Sequence, residues 1–246
     1  MGRRIRSVQE AEVLENKTAR KSRKVYSLEN QKYKKKPELI ARNPKQKQYI
    51  ISLEDPNKVI VFANGPAGTG KTMLASYAAI KAFQEGKVDK IVITRPAVSV
   101  DEQHGFLPGD LVEKMQPWVL PILDYFYQFY EKSQILRMIE RDQLEIAPLA
   151  YARGRNFQNC FILVDEAQNC TKEQMKMLLT RIGFGSKIVV TGDLEQHDRG
   201  FEDNGLDDFL KRLKKAQPPA GIAVVEFNQD EVERHPIIKT LLSLYE

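Results

Sequence analysis

Gly65-Pro66-Ala67-Gly68-Thr69-Gly70-Lys71-Thr72 decides the reading of this 246-residue chain. Two glycines bracket four residues and are followed by Lys and Thr, the pattern of a loop that wraps phosphate. The glycines let the backbone turn inward, so that successive N–H groups point at one anion. Gly65, Pro66, Ala67, Gly68, Thr69 and Gly70 form the cradle. Lys71 supplies a mobile cation for the β- and γ-phosphates, and the Thr72 hydroxyl is a magnesium ligand. Before the loop, Lys58-Val-Ile-Val-Phe-Ala63 is an apolar run of strand length. After it, Leu74, Tyr77, Ala78 and Ala82 recur at helical spacing until Gly86. Strand, loop and helix N-terminus are the setting such a loop needs, because the helix dipole favours an anion there. The expected ligand is a nucleoside triphosphate, ATP with Mg²⁺.

On the amino side, Asn43 and Pro44 open a short helix as its cap and first residue. Gln46 is the residue chosen to read the adenine edge, with Gln48 the alternate, because an amide both donates and accepts. On the carboxyl side, Phe161-Ile-Leu-Val-Asp165-Glu166-Ala167-Gln168 reads as a central strand that delivers a carboxylate at its end, about 95 residues after the loop. Asp165 is expected to hold the magnesium through water, and Glu166 to act as general base on the attacking water. The paired acids point to hydrolysis rather than transfer to a small molecule.

Further apolar runs at 89–95, 144–148, 187–191 and 222–227 complete an α/β pattern, a mostly parallel sheet sandwiched by helices. Residues 100–110 are punctuated by Gly and Pro and read as a loop. Residues 111–141 read as helical and carry Trp118, Tyr125, Phe126, Tyr127, Phe129 and Tyr130. Such aromatics can stack on bases, but at helical spacing they more often form core or a subunit interface. Arg153-Gly154-Arg155 suits phosphate contact or a solvated turn. Thr171 to Leu179 is a helix with Met175, Leu178 and Leu179 on one face. The segment Gly192 to Gln196, after the fourth strand, is placed to sense the γ-phosphate. Arg181 and Arg234 are the candidates for an arginine acting from outside the loop, and His235 reads as structural.

Apolar residues make up 42% and charged residues 29% of the chain, which suits one sizeable α/β core. There is no apolar run long enough to span a membrane, and no apolar segment behind the basic N-terminus, so a cytoplasmic protein is expected. Cys160 and Cys170 are expected to be free thiols. Residues 1–36 hold 12 Lys or Arg against 4 Glu, whereas the remainder holds 26 basic against 29 acidic residues. A basic arm, residues 1–37, therefore precedes a mildly acidic body, residues 38–246. The arm either holds nucleic acid by counterion release or is a solvated tail.

Over residues 40–246 the chain resembles the PhoH-like P-loop ATPases, relatives of superfamily 1 helicases. The resemblance rests on GPAGTGKT at 65–72, TRPAV at 94–98, GFLPGD at 105–110, APLAYARGR at 147–155, DEAQN at 165–169, EQMKMLLTRIGFGSK at 173–187, TGD at 191–193 and RHP at 234–236. It implies a RecA-like core with ATPase activity, a role with RNA or single-stranded DNA, and a link to phosphate starvation. Lys71 and Thr72 match the family's phosphate-loop pair, Asp165 and Glu166 its metal-and-base pair, and Gln196 the third helicase motif. Departures are Asp101 to His104, where a Gly-Glu step is common, and the acidic stretch 199–208. A superfamily 1 motor carries two such cores, whereas this sequence holds one. The resemblance therefore implies a homo-oligomeric ring, expected to be hexameric, in which Arg181 or Arg234 serves a neighbour. The competing classes are a nucleotide-dependent assembly or switch protein with little turnover, and a small-molecule kinase.

Overall fold

The computed structural model describes residues 35–96, 111–196, 204–216, 219–233 and 237, with side chains of 111–118 excluded. Most of the basic arm, the 100–110 loop and its GFLPGD motif, Ala97 and Val98, the Trp118 side chain, Arg234 and His235 lie outside the described residues. The unit described is Lys36–Glu246.

Six strands form one sheet: β1 Ile60–Asn64, β2 Lys90–Arg95, β3 Leu144–Pro148, β4 Cys160–Val164, β5 Lys187–Gly192 and β6 Ile222–Glu226. Their order is β3-β2-β4-β5-β1-β6, and every neighbouring pair is parallel. The strands are nearly continuous apolar runs because a parallel sheet is covered on both faces. Alternation along each strand assigns the two cores. Ile60, Phe62, Val92, Ile162, Val164, Ile188 and Val190 face one layer of helices, α5 Lys172–Leu179 and α6 Gly205–Lys215, through Met175, Leu178, Leu206 and Leu210. The other layer holds α1 Pro44–Glu54, α2 Lys71–Gln84 and α3 Leu111–Tyr127. Leu53, Leu74, Ile80, Val61, Ile91 and Leu163 are buried there, each worth roughly 1.5–3 kcal/mol relative to exposure. Helix α4 Lys132–Glu140 packs beside β3.

Local chemistry sets the ends of these elements. Asn43 Oδ1 accepts from Gln46 N at 2.9 Å, capping α1 as expected, and Thr171 Oγ1 accepts from Gln174 N at 3.2 Å, capping α5. The stretch 111–141, read as helical, is made of two helices. Phe129 and Tyr130 turn inward between them, 2% and 1% exposed, and Glu131 starts α4 with its N–H bonded to Gln134 Oε1 at 2.7 Å. The N–H groups of both aromatics still bond the Phe126 carbonyl, at 2.9 and 3.0 Å, so the turn keeps its backbone paired. Helix α6 was not expected from the acidic stretch that precedes it. Asn204 Oδ1 caps it through Asp207 N at 3.0 Å, and Asp207–Lys211 and Asp208–Arg212 pair one turn apart. Both cysteines are buried, and neither is in a disulfide. No helix among the described residues is long and apolar enough to cross a membrane.

Candidate nucleotide site

The loop between β1 and α2 turns on three glycines with left-handed φ: Gly65 at 140°, Gly68 at 90° and Gly70 at 82°. A side chain at Gly65 would stand 2.3 Å from the Phe227 carbonyl oxygen, so close packing against the end of β6 also demands glycine. Gly65 N donates to Gly192 O at 3.1 Å and Phe227 N to Asn64 O at 2.7 Å. The base of the loop is thereby fastened between β5 and β6, and its N–H groups open at the start of α2.

Lys71 is only 8% exposed, and its ammonium donates to the carbonyls of Gly65 at 2.5 Å and Pro66 at 2.8 Å and to Thr69 Oγ1 at 3.2 Å. Burial pulls its pKa below the ordinary value, while Asp193, Asp165 and Glu166 push it back up. The side chain thus lies along its own loop in a field of three acids.

Asp165 follows β4 and is joined to both neighbouring elements. Its Oδ1 accepts from Thr72 Oγ1 at 2.8 Å and from Thr191 Oγ1, at the end of β5, at 2.6 Å. Among the described residues no cluster of three or more His, Cys, Asp or Glu could hold a metal ion alone. A hydroxyl and one carboxylate at a helix N-terminus suit Mg²⁺, which keeps waters and takes phosphate oxygens as ligands. The donor set fits that ion.

Glu166 sits beside Asp165 in the left-handed region, with φ 54°. Its Oε2 accepts from Gln168 Nε2 at 2.6 Å, and its Oε1 lies 3.7 Å from Arg95 Nη2. Gln168 is 1% exposed and its other end accepts from Asp193 N at 3.1 Å. One buried amide therefore links Glu166 to the segment after β5. In that segment Gln196 N donates to Asp193 O at 3.1 Å, and the Gln196 side chain lines the cleft.

Gln46 is 1% exposed and spans from α1 to the loop: Nε2 donates to Thr69 O at 3.0 Å, and Oε1 accepts from Arg42 N at 2.8 Å. One donor and one lone pair of the amide remain for an adenine edge. Glu233 N donates to Gly68 O at 3.0 Å, which brings the chain back to the loop just before Arg234. Ala67, Gly68, Gly70, Lys71, Thr72 and Gln46 share a cleft of about 300 Å³ with Asp165, Glu166 and Gln196.

Not every expected residue meets there. Arg181 lies at the amino ends of the strands, where its carbonyl accepts from Phe157 N, and it is not among the residues lining the cleft. Arg155 forks onto Glu145 and covers the Phe157 ring at 4.6 Å, a structural role rather than a phosphate contact. Phe126, Phe129 and Tyr130 are core. Tyr125, from the same cluster, lines the cleft instead, packed edge-on against Tyr77 at 6.1 Å. Thr191 and Gln168 are site residues that sequence reasoning gave no role, and Tyr125 was read only as one of an aromatic group for base stacking, core or a subunit interface. Thr191 and Gln168 stood inside quoted motifs, but their bonds cross between strands.

The fold and the loop define a nucleotide-binding P-loop protein with a RecA-like parallel core. The strand carrying the phosphate loop and the strand carrying Asp165 are separated by β5, so both deliver their ends to one rim. The PhoH-like protein family matches residues 38–246, and the chain belongs to that family. PhoH-like proteins of Synechocystis and Bacillus subtilis are 44% and 41% identical, over 84% and 90% of this chain and 62% and 68% of theirs. Protein PhoH of Escherichia coli is 38% identical over 84% of this chain and 58% of its own. The chain thus spans about three fifths of the length of these relatives. A solved Sulfolobus solfataricus SWI2/SNF2 ATPase core in complex with dsDNA covers 78% of this chain and 46% of its own at 17% identity and TM-score 0.41, a distant likeness only.

Proposed function

We propose that the protein hydrolyses ATP with Mg²⁺ and does so with RNA or single-stranded DNA, in the cytoplasm. The observation that carries the hydrolase reading is the Glu166 carboxylate, set beside Asp165 in the cleft and tied through Gln168 to Asp193. Thr72 and Asp165 would hold the ion, which when bound neutralises charge on the β- and γ-phosphates. The loop N–H groups bind and orient the phosphates. Lys71, leaving its loop carbonyls, adds a cation at the γ-phosphate. Glu166 accepts the proton of the attacking water, and Gln196, which lines the cleft, would register loss of the γ-phosphate.

The same reading makes the chain one subunit of a homo-oligomeric ring, six-membered by family resemblance. The position of Arg181, away from its own cleft, supports an action on a neighbour, and Arg234 is the second candidate. A small-molecule kinase would need an acceptor pocket in place of the general base.

Phosphate release from ATP, with and without single-stranded RNA or DNA, tests this. Lys71→Ala should abolish turnover, and Glu166→Gln should lower it by roughly 10²–10⁴-fold while ATP still binds. Wild-type turnover in Glu166→Gln would refute the hydrolase assignment. ATP binding with negligible turnover under every condition would favour the switch protein. Turnover indifferent to either strand would remove the nucleic-acid half.

A further inference from the structure

Both oxygens of Glu166 are engaged by this chain, and the second engagement needs a reason. Gln168 holds Oε2 at 2.6 Å, while Arg95 stands 3.7 Å from Oε1. Arg95 is the last residue of β2, and the residue before it receives the N–H of Asp165 at 3.1 Å. Its guanidinium therefore reaches Glu166 from the rim of the sheet, outside the phosphate loop. Gln168 and Arg95 thus turn the carboxylate toward the protein, with the guanidinium beside the oxygen that Gln168 leaves open.

We propose that Arg95 is a latch on Glu166, opened when a phosphate of a bound single strand takes the guanidinium. The proposal rests on the hydrolase reading above. Three observations favour a phosphodiester as the competitor. The Arg95 side chain is 29% exposed and so within reach of a ligand on the rim, and its fork matches phosphate geometry. Its partner across the sheet is Pro148, from which the turn Leu149–Ala152 departs. That turn presents Tyr151, 56% exposed, and leads to the exposed Arg153, a ring face for a base and a second cation. An ion pair of this length between partly solvated groups is weak, so a polyanion held alongside can break it. Released from Arg95, Glu166 keeps its Gln168 bond, stays oriented and has Oε1 open to the attacking water.

Competition for one guanidinium is reciprocal: the strand must raise turnover, and Glu166 must weaken strand binding. The test uses the full chain and oligouridine. Phosphate release is measured with and without the strand, and binding of a fluorescein-labelled strand is measured by anisotropy over a range of salt without nucleotide. Arg95→Gln should raise strand-free turnover several-fold toward the strand-stimulated wild-type rate and abolish further stimulation. Its log–log salt slope should fall by about 0.7, one phosphate contact fewer. Arg95→Lys, which keeps charge but loses the fork, should retain part of the restraint. Glu166→Gln should bind the strand several-fold tighter than wild type.

Lower strand-free turnover in Arg95→Gln, or stimulation left intact, would overturn the latch while leaving the hydrolase reading standing. Unchanged strand affinity in Glu166→Gln would overturn it as well. Absence of Glu166-dependent turnover from the wild type would sink the hydrolase reading instead, and the binding arm would then decide the Arg95–Glu166 competition by itself.

Discussion

Thr191 illustrates how a single hydroxyl can matter without touching a ligand. It bonds Asp165 Oδ1 at 2.6 Å and the Val164 carbonyl at 3.2 Å, so it sets the direction in which the carboxylate faces Thr72. Thr191→Val keeps the shape and removes that bond. Residues supporting a metal ligand in this way are worth roughly 10–100-fold in affinity or activity. The Mg²⁺ concentration for half-maximal turnover should therefore rise by roughly 10–100-fold in Thr191→Val, while nucleotide binding measured without Mg²⁺ stays as in wild type. An equal loss in both measurements would mean that the loop itself had moved. At this scale the phosphate loop, Asp165 and Glu166 were legible because each carries its chemistry within a few consecutive residues. Gln168 was not, since its task depends on Asp193, a neighbour only after β4 and β5 have paired.

Elements were legible where periodicity ran unbroken. All six strands are apolar runs, and α2 and α5 follow their expected spacing. The break before α4 escaped notice because Phe129 and Tyr130 continue the apolar pattern while leaving the helix. Helix α6 escaped although Asn204, two acids and two bases in order are a cap and pairing signature; the acidic composition around it masked the signal. The edge strand β3 offers a test at this level. Glu145 takes Arg155 Nη2 at 2.8 Å and pairs with Lys90, and Lys90 also reaches Asp142 at 2.5 Å. The Arg155 bonds hold the Glu145 pKa down at about 2; burial opposes them, and Lys90 adds to the lowering. A carboxyl lowered on folding adds stability above its ordinary value of 4.5 and loses it as pH falls toward 2. Urea unfolding should show stability dropping across that window, with the drop reduced in Glu145→Gln. An identical profile in the variant would place the acid sensitivity elsewhere.

For the molecule as a whole, the cleft gathers residues from α1, α2, α3 and the ends of β4 and β5, with the chain after β6 closing on the loop. A bound nucleotide therefore ties most of the unit together. At a free concentration about 100 times its Kd it should stabilise the fold by about 2.7 kcal/mol, read as a higher unfolding midpoint, and Lys71→Ala should show little of this shift. A shift of equal size in that variant would locate binding outside the loop.

The strand that bears the phosphate loop has an unusual history within its own chain. Both of its sheet partners come much later in the sequence: Ile60 pairs with Ile188 and with Ile222. As the chain leaves the ribosome, β2, β3 and β4 can pair among themselves, while β1 waits for β5. Contacts across such long separations close slowly. The nucleotide pocket is thus completed only once β5 has emerged, so a chain interrupted before β5 would carry the whole phosphate-loop motif without a sheet to hold it.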